Sequence, residues 1–231
     1  MQNKFKHGEY LKWAAVAVCA VLTLAFPAVF GSRGYYLAAF VFCVIAVGSV
    51  FASFENSGTD TLKLVLIAVM CALAVAGRMV FAAVPFVKPV AAFVIMSGAM
   101  LGPQRGFLTG AVTMLVSNFM FGQGPWTVWQ MMSFGIIGFG AGLLFYRKTA
   151  RKTNISLALY GFIIYMLVAG PMLDISGIFT YTIPGKVSLV AVLLAGLPVN
   201  LTSAVSTVVF LLVLSKPVMS KLNRIIIKYG L

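Results

Sequence analysis

Eight long apolar segments, separated by short gaps that carry most of the charge, make up the greater part of the 231-residue chain. A helix needs about 20 apolar residues to cross the hydrocarbon core of a bilayer, and most of the segments are close to that length. They cover residues 12–30, 36–54, 61–83, 89–102, 106–121, 127–146, 155–173 and 188–214. The pattern predicts an all-α, polytopic membrane protein. The first segment is longer than the apolar stretch of a signal peptide, so we expect a retained helix there.

The composition excludes the main soluble classes. Hydrophobic residues make up 61% of the chain and charged residues 9%, whereas a soluble domain carries roughly 25% charged residues. A soluble protein of this size must cover itself with polar groups. We therefore exclude a soluble enzyme, a soluble nucleic-acid binder and a disordered protein.

The basic residues predict the orientation of the chain in the membrane. The net charge is +13, which in a soluble protein would suggest a nucleic-acid partner, but almost all of these residues lie between the apolar segments. With the N-terminus in the cytoplasm, the outer side holds Arg33, Lys88 and Lys186. The inner side holds Lys4, Lys6, Lys12, Lys63, Arg105, Arg147, Lys148, Arg151, Lys152, Lys216, Lys221, Arg224 and Lys228. The positive-inside rule thus favours two cytoplasmic termini, with membrane lipid and not nucleic acid around the protein.

The fourth and fifth segments are short and are joined by Gly102-Pro103-Gln104-Arg105. Hydropathy alone would allow one long helix across both segments. Pro103 and the polar residues after it favour a tight turn instead.

Three gaps that face outward in this topology have a composition unusual for connectors. They are residues 84–88, 119–127 and 174–187, and the last two mix aromatic, amide and hydroxyl side chains with Gly and Pro. Small-molecule sites combine apolar walls with a few placed polar groups. The sequence therefore predicts an outward-facing pocket beneath these loops.

Amide side chains are the first candidates for this pocket. Asn118 lies near the outer end of an apolar segment, where a buried amide needs partners, and Gln123 and Gln130 are close in sequence. Together they are expected to line the pocket. Alternatively, Thr127 and Gln130 form a capping box that only closes a helix N-terminus.

Aromatic side chains near the same loops have two interpretations. Trp126, Trp129 and Tyr181 either contact a ligand or belong to the aromatic belt at the membrane interface.

Two charged residues within or beside the apolar segments are further candidates. An arginine inside a membrane is costly and marks a functional site unless it reaches the headgroups, and Arg78 lies near the end of the third segment. Asp174 is the only acidic residue in the last 171 residues. It either pairs with Arg78 or Lys186, or begins a turn.

Small residues at four-residue spacing mark faces on which helices approach each other closely. One face consists of Ala68, Ala72 and Ala76. The others consist of Gly98, Gly102, Gly106 and Gly110, and of Gly138 and Gly142. We expect the glycine faces to pack within the protein, whereas the alanine face is available for a partner.

Several groups that catalysis needs are missing from the sequence. His7 is the single histidine, and the three cysteines, Cys19, Cys43 and Cys71, fall inside apolar segments. No phosphate-binding G-x-x-x-x-G-K-[ST] motif, no G-x-S-x-G, no H-E-x-x-H and no pair of membrane carboxylates occurs. We expect neither an enzyme nor a bound metal or cofactor, and the lack of a carboxylate relay disfavours a proton-coupled carrier.

Four motifs carry a family resemblance. They are Ala68-x-x-x-Ala72, GRMVF at residues 77–81 leading to Pro85, Gly106-Phe107-x-x-Gly110 followed by Ser117-Asn118-Phe119, and GQGPWTVWQM at residues 122–131. In these motifs the chain resembles the S components of energy-coupling factor (ECF) transporters, the vitamin-capture subunits of bacterial ABC importers. The last run is most similar to S components assigned to cobalamin and related corrinoids.

The resemblance implies an architecture and a mechanism. The six-helix core of the family matches residues 61–231, and residues 1–60 would add two transmembrane helices in front of it. Such a subunit lies in the bacterial cell membrane, binds its vitamin on the outer side and associates with a transmembrane T component and two cytoplasmic ATPases. ATP use by these partners topples the subunit and releases the vitamin inside. Ala68 and Ala72 match the family's contact with the T component.

For the substrate, the resemblance implies cobalamin or a related corrinoid. Asn and Gln side chains would bond its amides, aromatic side chains would cover its ring, and Lys88 or Arg78 would meet its phosphate. The substrate-binding residues expected on this basis are Arg78, Lys88, Asn118, Gln123, Trp126, Trp129, Gln130, Asp174 and Tyr181. The alternatives are another vitamin or precursor (ribazole, riboflavin or a thiamin-like molecule), a self-sufficient secondary carrier, and a membrane enzyme or assembly factor.

Overall fold

The computed structural model describes residues 61–124, 126–146, 151–181 and 188–230, and only the backbone of residues 179–181. The predicted spans at 12–30 and 36–54 lie outside the described residues, as do Cys19 and Cys43. The division of the chain into residues 1–60 and 61–231 therefore stays a prediction.

The described residues form α-helices with two π-helical segments, and no strand occurs among them. The helices are α1 (Thr61–Val80), α2 (Val90–Leu101), α3 (Pro103–Phe121), α4 (Trp126–Ala141), α5 (Asn154–Ile164), α6 (Gly170–Tyr181) and α7 (Leu189–Tyr229). The π-helical segment Gly142–Tyr146 extends α4, and a second one, Tyr165–Ala169, links α5 directly to α6. The predicted all-α fold is thus confirmed.

Four helical stretches in the described part of the chain are long and apolar enough to cross a membrane. They are Thr61–Val80, Trp126–Tyr146, Asn154–Ile178 and Leu189–Tyr229. The prediction of a polytopic membrane protein is confirmed.

Two of the predicted outward loops are shorter than expected. Residues 174–181 belong to α6 and residues 119–121 to α3, so only the remainder of each gap can be a connector. The predicted span 106–121 already ends at Phe121, as α3 does, whereas the predicted span 155–173 stops one residue before Asp174 and α6 continues to Tyr181.

The last helix also extends farther than predicted, to Tyr229 instead of residue 214. Its charged residues after Ser215 are exposed, while Leu222 on the opposite face is only 5% exposed. A hydropathy boundary stops at the charges, whereas an amphipathic helix continues through them.

The predicted turn between the fourth and fifth spans is confirmed. Helix α2 ends at Leu101, and Gly102 has a φ of 104°, a conformation that glycine adopts without a steric cost. Pro103 then occupies the first position of α3, where its missing N–H and fixed φ suit a helix start.

The centre of the bundle is α2, which packs against α1, α3, α4 and α7. Every residue from Val90 to Ala99 is buried. A helix of 12 residues is about 18 Å long and cannot span a bilayer core of about 30 Å. Because residues Val90 to Ala99 are buried by protein, α2 does not need the length of a helix that faces lipid.

The glycine faces bring α2, α3 and α4 into backbone contact. A Cβ atom added at Gly98 or Gly106 would collide with the backbone of Gly138, and one at Gly142 would collide with Pro103. The expectation of packing within the protein is confirmed for these positions.

The alanine face has the opposite environment. One side of α1 is buried against the core and includes Leu66, Met70 and Ala74. Ala68 and Ala72 are exposed on its other side. This face therefore meets lipid or a partner and not the described core.

Candidate functional site

A partly open cavity of about 430 Å³ lies at the end of the bundle where α1 ends and where α4 and α7 begin. In the predicted topology this is the outer end. The charged and amide side chains that line it are Arg78, Lys88, Gln130, Asp174 and Asn200. The apolar and aromatic side chains of the lining include Met114, Phe134, Tyr165 and Leu173. The cavity thus has the mixed lining that small-molecule sites require.

Arg78 lies in the last turn of α1, and its guanidinium is held by α3. Nη1 donates hydrogen bonds to Ser117 Oγ and, at 2.9 Å, to Asn118 Oδ1, and lies 3.8 Å from Met114 Sδ. The guanidinium carbon stands 4.6 Å from the ring centroid of Phe121, within the range of a cation–π interaction. These hydrogen bonds and the contact with Phe121 therefore offset the energetic cost of placing the Arg78 charge in the bundle.

Asn118 connects this arginine to α4. Its side chain is only 1% exposed, and because a guanidinium can only donate, Oδ1 must face Arg78 and Nδ2 must face away from it. Nδ2 donates to Thr127 Oγ1 at 2.9 Å and to Gln130 Oε1 at 2.7 Å. The Thr127 hydroxyl donates to Gln123 Oε1 at 3.0 Å. The structure thus joins Asn118, Gln123 and Gln130 in one network.

Within this network, Gln130 is the member that lines the cavity. Its Oε1 accepts the hydrogen bond from Asn118. The amide nitrogen of Gln130 is therefore the group left to donate to a bound molecule.

The capping-box interpretation of Thr127 and Gln130 is wrong. Helix α4 begins at Trp126, so Thr127 lies inside the first turn. The Thr127 hydroxyl accepts the backbone N–H of Gly124 at 3.3 Å, and Gln130 bonds Asn118 instead of the helix start.

Lys88 is fixed at the mouth of the cavity by the segment that precedes it. Its Nζ donates to the carbonyl oxygens of Phe81, Ala82 and Val84, with distances of 3.3 Å to Ala82 and 3.1 Å to Val84. Its backbone N–H donates to Ser206 Oγ of α7 at 3.1 Å. These hydrogen bonds stabilise the segment between α1 and α2 internally and attach it to α7.

The positive charge of Arg78 acts on Lys88. Desolvation lowers the pKa of Lys88, and the positive charge of Arg78 lowers it further. Beside them, Phe86 lines the cavity with a left-handed φ of 60°, a conformation that costs energy for a bulky side chain and recurs at functional sites.

Asp174 lies inside α6, so its interpretation as the start of a turn is wrong. Its Oδ2 accepts a hydrogen bond from Asn200 Nδ2 of α7 at 2.7 Å. A Cβ atom at Gly196 would collide with the Asp174 carboxylate, and one at Gly170 would collide with the Asn200 amide. Both side chains fit between α6 and α7 because these two positions are glycine.

Four of the predicted site residues lie outside the cavity lining, namely Asn118, Gln123, Trp126 and Trp129. Gln123 is exposed and donates to the Leu115 carbonyl at 2.9 Å. Trp126 packs over Gly124, and Trp129 is buried with 3% of its surface exposed. For Tyr181, only its place at the end of α6 is described.

Sequence reasoning missed the contribution of α7 and of the second π-helical segment. Asn200, Ser203 and Thr207 of α7 line the cavity, as does Tyr165 at the start of the π-helical segment. The spacing of three and four residues places the polar α7 side chains on one helix face, a signal present in the sequence. For Tyr165 no such signal exists, because a π-helical turn has no reliable sequence pattern, although such turns are frequent at functional sites.

The chemistry available in the cavity is recognition by hydrogen bonds and aromatic contact. Phe134 and Tyr165 meet edge to face with ring centroids 6.4 Å apart. Among the described residues, no group of three or more His, Cys, Asp or Glu side chains is placed to hold a metal ion.

Comparison with known proteins places most of the described bundle in one family. A family model described as "ECF-type riboflavin transporter, S component" matches residues 58–220, which is well over half of the chain. No solved structure matches the chain significantly. The resemblance drawn from the motifs is confirmed for the family, while its corrinoid subtype is not. The chain belongs to the S components of ECF transporters, a family of integral membrane transport proteins and not of enzymes.

Proposed function

We propose that this protein is the substrate-capture subunit of an ECF-type vitamin importer and that the cavity binds riboflavin, or a flat vitamin of similar size, from the outer side. The observation that carries the proposal is the cavity itself, which combines aromatic walls with charged and amide side chains at the end of the bundle that the predicted topology places outside. The match to a riboflavin-type family model supports it.

The size of the cavity favours a flat vitamin over a corrinoid. A volume of about 430 Å³ lies near the lower end of the range of about 300–1,000 Å³ that holds drug-sized ligands. Riboflavin is a molecule of that class, whereas cobalamin is several times larger. The cobalamin expectation would require the outer loops to open widely around a ligand that projects from the bundle.

The arrangement of donors and acceptors also suits riboflavin. Its ring system is flat and aromatic, with carbonyl acceptors around an imide N–H and a hydroxylated side chain. The Gln130 amide nitrogen supplies a donor to such carbonyls, while Asp174 and Asn200 carry acceptor oxygens in the same lining. Phe134 and Tyr165 offer aromatic surface to the ring.

Energy for uptake would come from partner proteins. ECF S components work with a T component and cytoplasmic ATPases, and the sequence has no phosphate-binding loop of its own. The exposed Ala68 and Ala72 of α1 provide a smooth face on which a helix of the T component could approach closely.

The test is equilibrium binding by the purified, solitary protein in detergent. Riboflavin, thiamin, ribazole, cobinamide and cobalamin are titrated separately, and the visible spectrum of the protein as isolated is recorded. We expect saturable binding of riboflavin, seen as quenching of its fluorescence, and a flavin spectrum in the isolated protein.

A pair of matched variants links binding to the cavity. Gln130→Leu removes the amide at the cavity wall, and Gln104→Leu removes an exposed amide outside it. The first should weaken binding roughly tenfold or more, the second should not. Tight binding of cobalamin or cobinamide alone would instead show that the substrate is a corrinoid. Uptake without ATPase partners would support the secondary carrier, and no binding across the panel would overturn the proposal.

A further inference from the structure

The segment between α1 and α2, residues 81–89, contributes to the cavity although much of it is exposed. Every residue from Ala82 to Phe86 is exposed, yet Phe86 and Lys88 line the cavity. A segment with few buried apolar contacts opens at a low free energy unless other contacts hold it. The polar contacts of this segment therefore decide its conformation.

The Lys88 ammonium makes most of these contacts. An ammonium group has three N–H donors, and that of Lys88 donates to the carbonyl oxygens of Phe81, Ala82 and Val84. These carbonyls follow the last residue of α1, where the helix no longer supplies regular N–H partners. A cation at the C-terminal end of a helix also interacts favourably with the helix dipole. Lys88 thereby folds the segment back onto the end of α1.

Helix α7 anchors the two ends of the segment. Ser206 Oγ accepts the backbone N–H of Lys88 at 3.1 Å and lies 3.4 Å from its carbonyl oxygen, to which it donates. One helical turn further on, the ring of Phe210 meets that of Phe81 edge to face, with centroids 5.0 Å apart. The exposed residues between these anchors are held by the Lys88 ammonium.

Phe86 lies among these exposed residues. Its φ of 60° is unfavourable for a bulky side chain and persists only where the surrounding structure fixes it. The Lys88 contacts fix the backbone on both sides of it, through the Val84 carbonyl and through Lys88 itself. The Phe86 ring lines the cavity in this conformation.

We infer that Lys88 is a positioning residue of the vitamin site: its ammonium holds residues 81–89 so that the Phe86 ring stays at the cavity. An aromatic ring at this place adds contact area for a flat aromatic ligand. The inference rests on the proposed capture of riboflavin or a similar flat vitamin. It adds a residue that promotes binding through another side chain and requires no charge on the ligand.

The experiment is a double-mutant cycle in riboflavin fluorescence titrations of the full-length purified protein. Lys88→Met keeps the length of the side chain, removes its donors and should weaken binding roughly tenfold, a loss typical of hydrogen bonds to a charged group. Phe86→Ala should weaken binding to a similar degree. The double variant should bind at most about twofold more weakly than Phe86→Ala, because residues that act as a unit are not additive.

Two further variants separate this role from net charge and from folding. Lys221→Met makes the same chemical change at an exposed position of α7 and should keep the wild-type affinity. Ser206→Ala removes the anchor at the Lys88 backbone and should weaken binding severalfold, so a folding defect in Lys88→Met does not decide the result. Size-exclusion profiles identify the folded variants.

Hydrogen exchange of the ligand-free protein gives a readout that does not depend on binding. The backbone amides of Ala82, Val84 and Lys88 are hydrogen-bonded. Their exchange should be faster in Lys88→Met and unchanged in Lys221→Met.

The outcomes distinguish this inference from the proposed function. Additive losses in the cycle, unchanged affinity of folded Lys88→Met, or unchanged exchange in residues 81–89 would each overturn the positioning role while riboflavin capture stands. If the wild type binds neither riboflavin nor another flat vitamin, both are overturned. A non-additive loss together with faster exchange supports the inference.

Discussion

Arg78 donates a hydrogen bond to the side-chain oxygen of Asn118 at 2.9 Å, and this bond fixes the direction of the amide. Since the guanidinium has no acceptor, the nitrogen of Asn118 must point to α4. There it donates to Gln130, whose own nitrogen is left to face the cavity. A charge at the end of α1 thus fixes the orientation of an amide of α4 that lines the cavity.

Replacing Arg78 should weaken ligand binding more than it weakens folding. Arg78→Gln removes a charge-assisted hydrogen bond to Asn118 and the contact with Phe121, so we expect riboflavin binding to weaken roughly 10- to 100-fold. Arg105→Gln is the matched control, because Arg105 donates to the Leu101 carbonyl near the other ends of these helices. Equal affinities for wild type and Arg78→Gln would remove Arg78 from the site.

Replacing Asn118 by Asp should invert the polarity of the network. Asn118→Asp still accepts from Arg78 but no longer donates to Thr127 or Gln130. The Gln130 amide then rotates to donate to the new carboxylate and turns its oxygen to the cavity. We expect roughly tenfold weaker riboflavin binding by titration with little change in Tm. Asn223→Asp, at an exposed position, serves as control, and unchanged binding by Asn118→Asp would show that the network does not orient Gln130.

Large side chains on the alanine face should block transport without affecting capture. Ala68→Trp or Ala72→Trp adds bulk on an exposed face of α1 that is turned away from the core. We expect vitamin uptake by cells with the complete transporter to fall to background while the solitary protein keeps its affinity. Leu159→Trp places the same bulk at an exposed position of α5 and should transport normally. Uptake that survives both alanine changes would refute the partner interface.

The glycine contacts of α2, α3 and α4 should be essential for stability. Gly106→Ala and Gly138→Ala each force a methyl group against backbone of the neighbouring helix. Overpacking of this kind costs roughly 1–3 kcal/mol, so we expect a Tm several degrees lower in a thermal-shift assay in detergent. Gly177→Ala, where an added Cβ meets nothing within 4 Å, should leave the Tm unchanged or raise it. Normal Tm values for both core variants would mean that the helices can separate at little cost.

The sequence was a good guide to the helices and a partial guide to the cavity. Apolar length and Pro103 predicted the positions of the described spans, and Arg78, Asn118 and Gln130 stood out because polar groups inside apolar segments are costly. Trp126 and Trp129 stood out for their residue type, but the residue type does not say which way a ring points. Tyr165 gave no signal, since its position depends on a π-helical turn.

What the sequence by itself determined is the class of protein: apolar length, low charge and basic gaps admit only a helical membrane protein, and local motifs indicated the family. Only the tertiary structure decided which polar side chains meet. Asp174 and Asn200 are 26 residues apart, and Arg78 and Asn118 are 40 residues apart. Their pairing depends on how closely the helices approach, and in this bundle that approach is set by glycines such as Gly170 and Gly196, where any larger side chain would occupy the space of the polar pair.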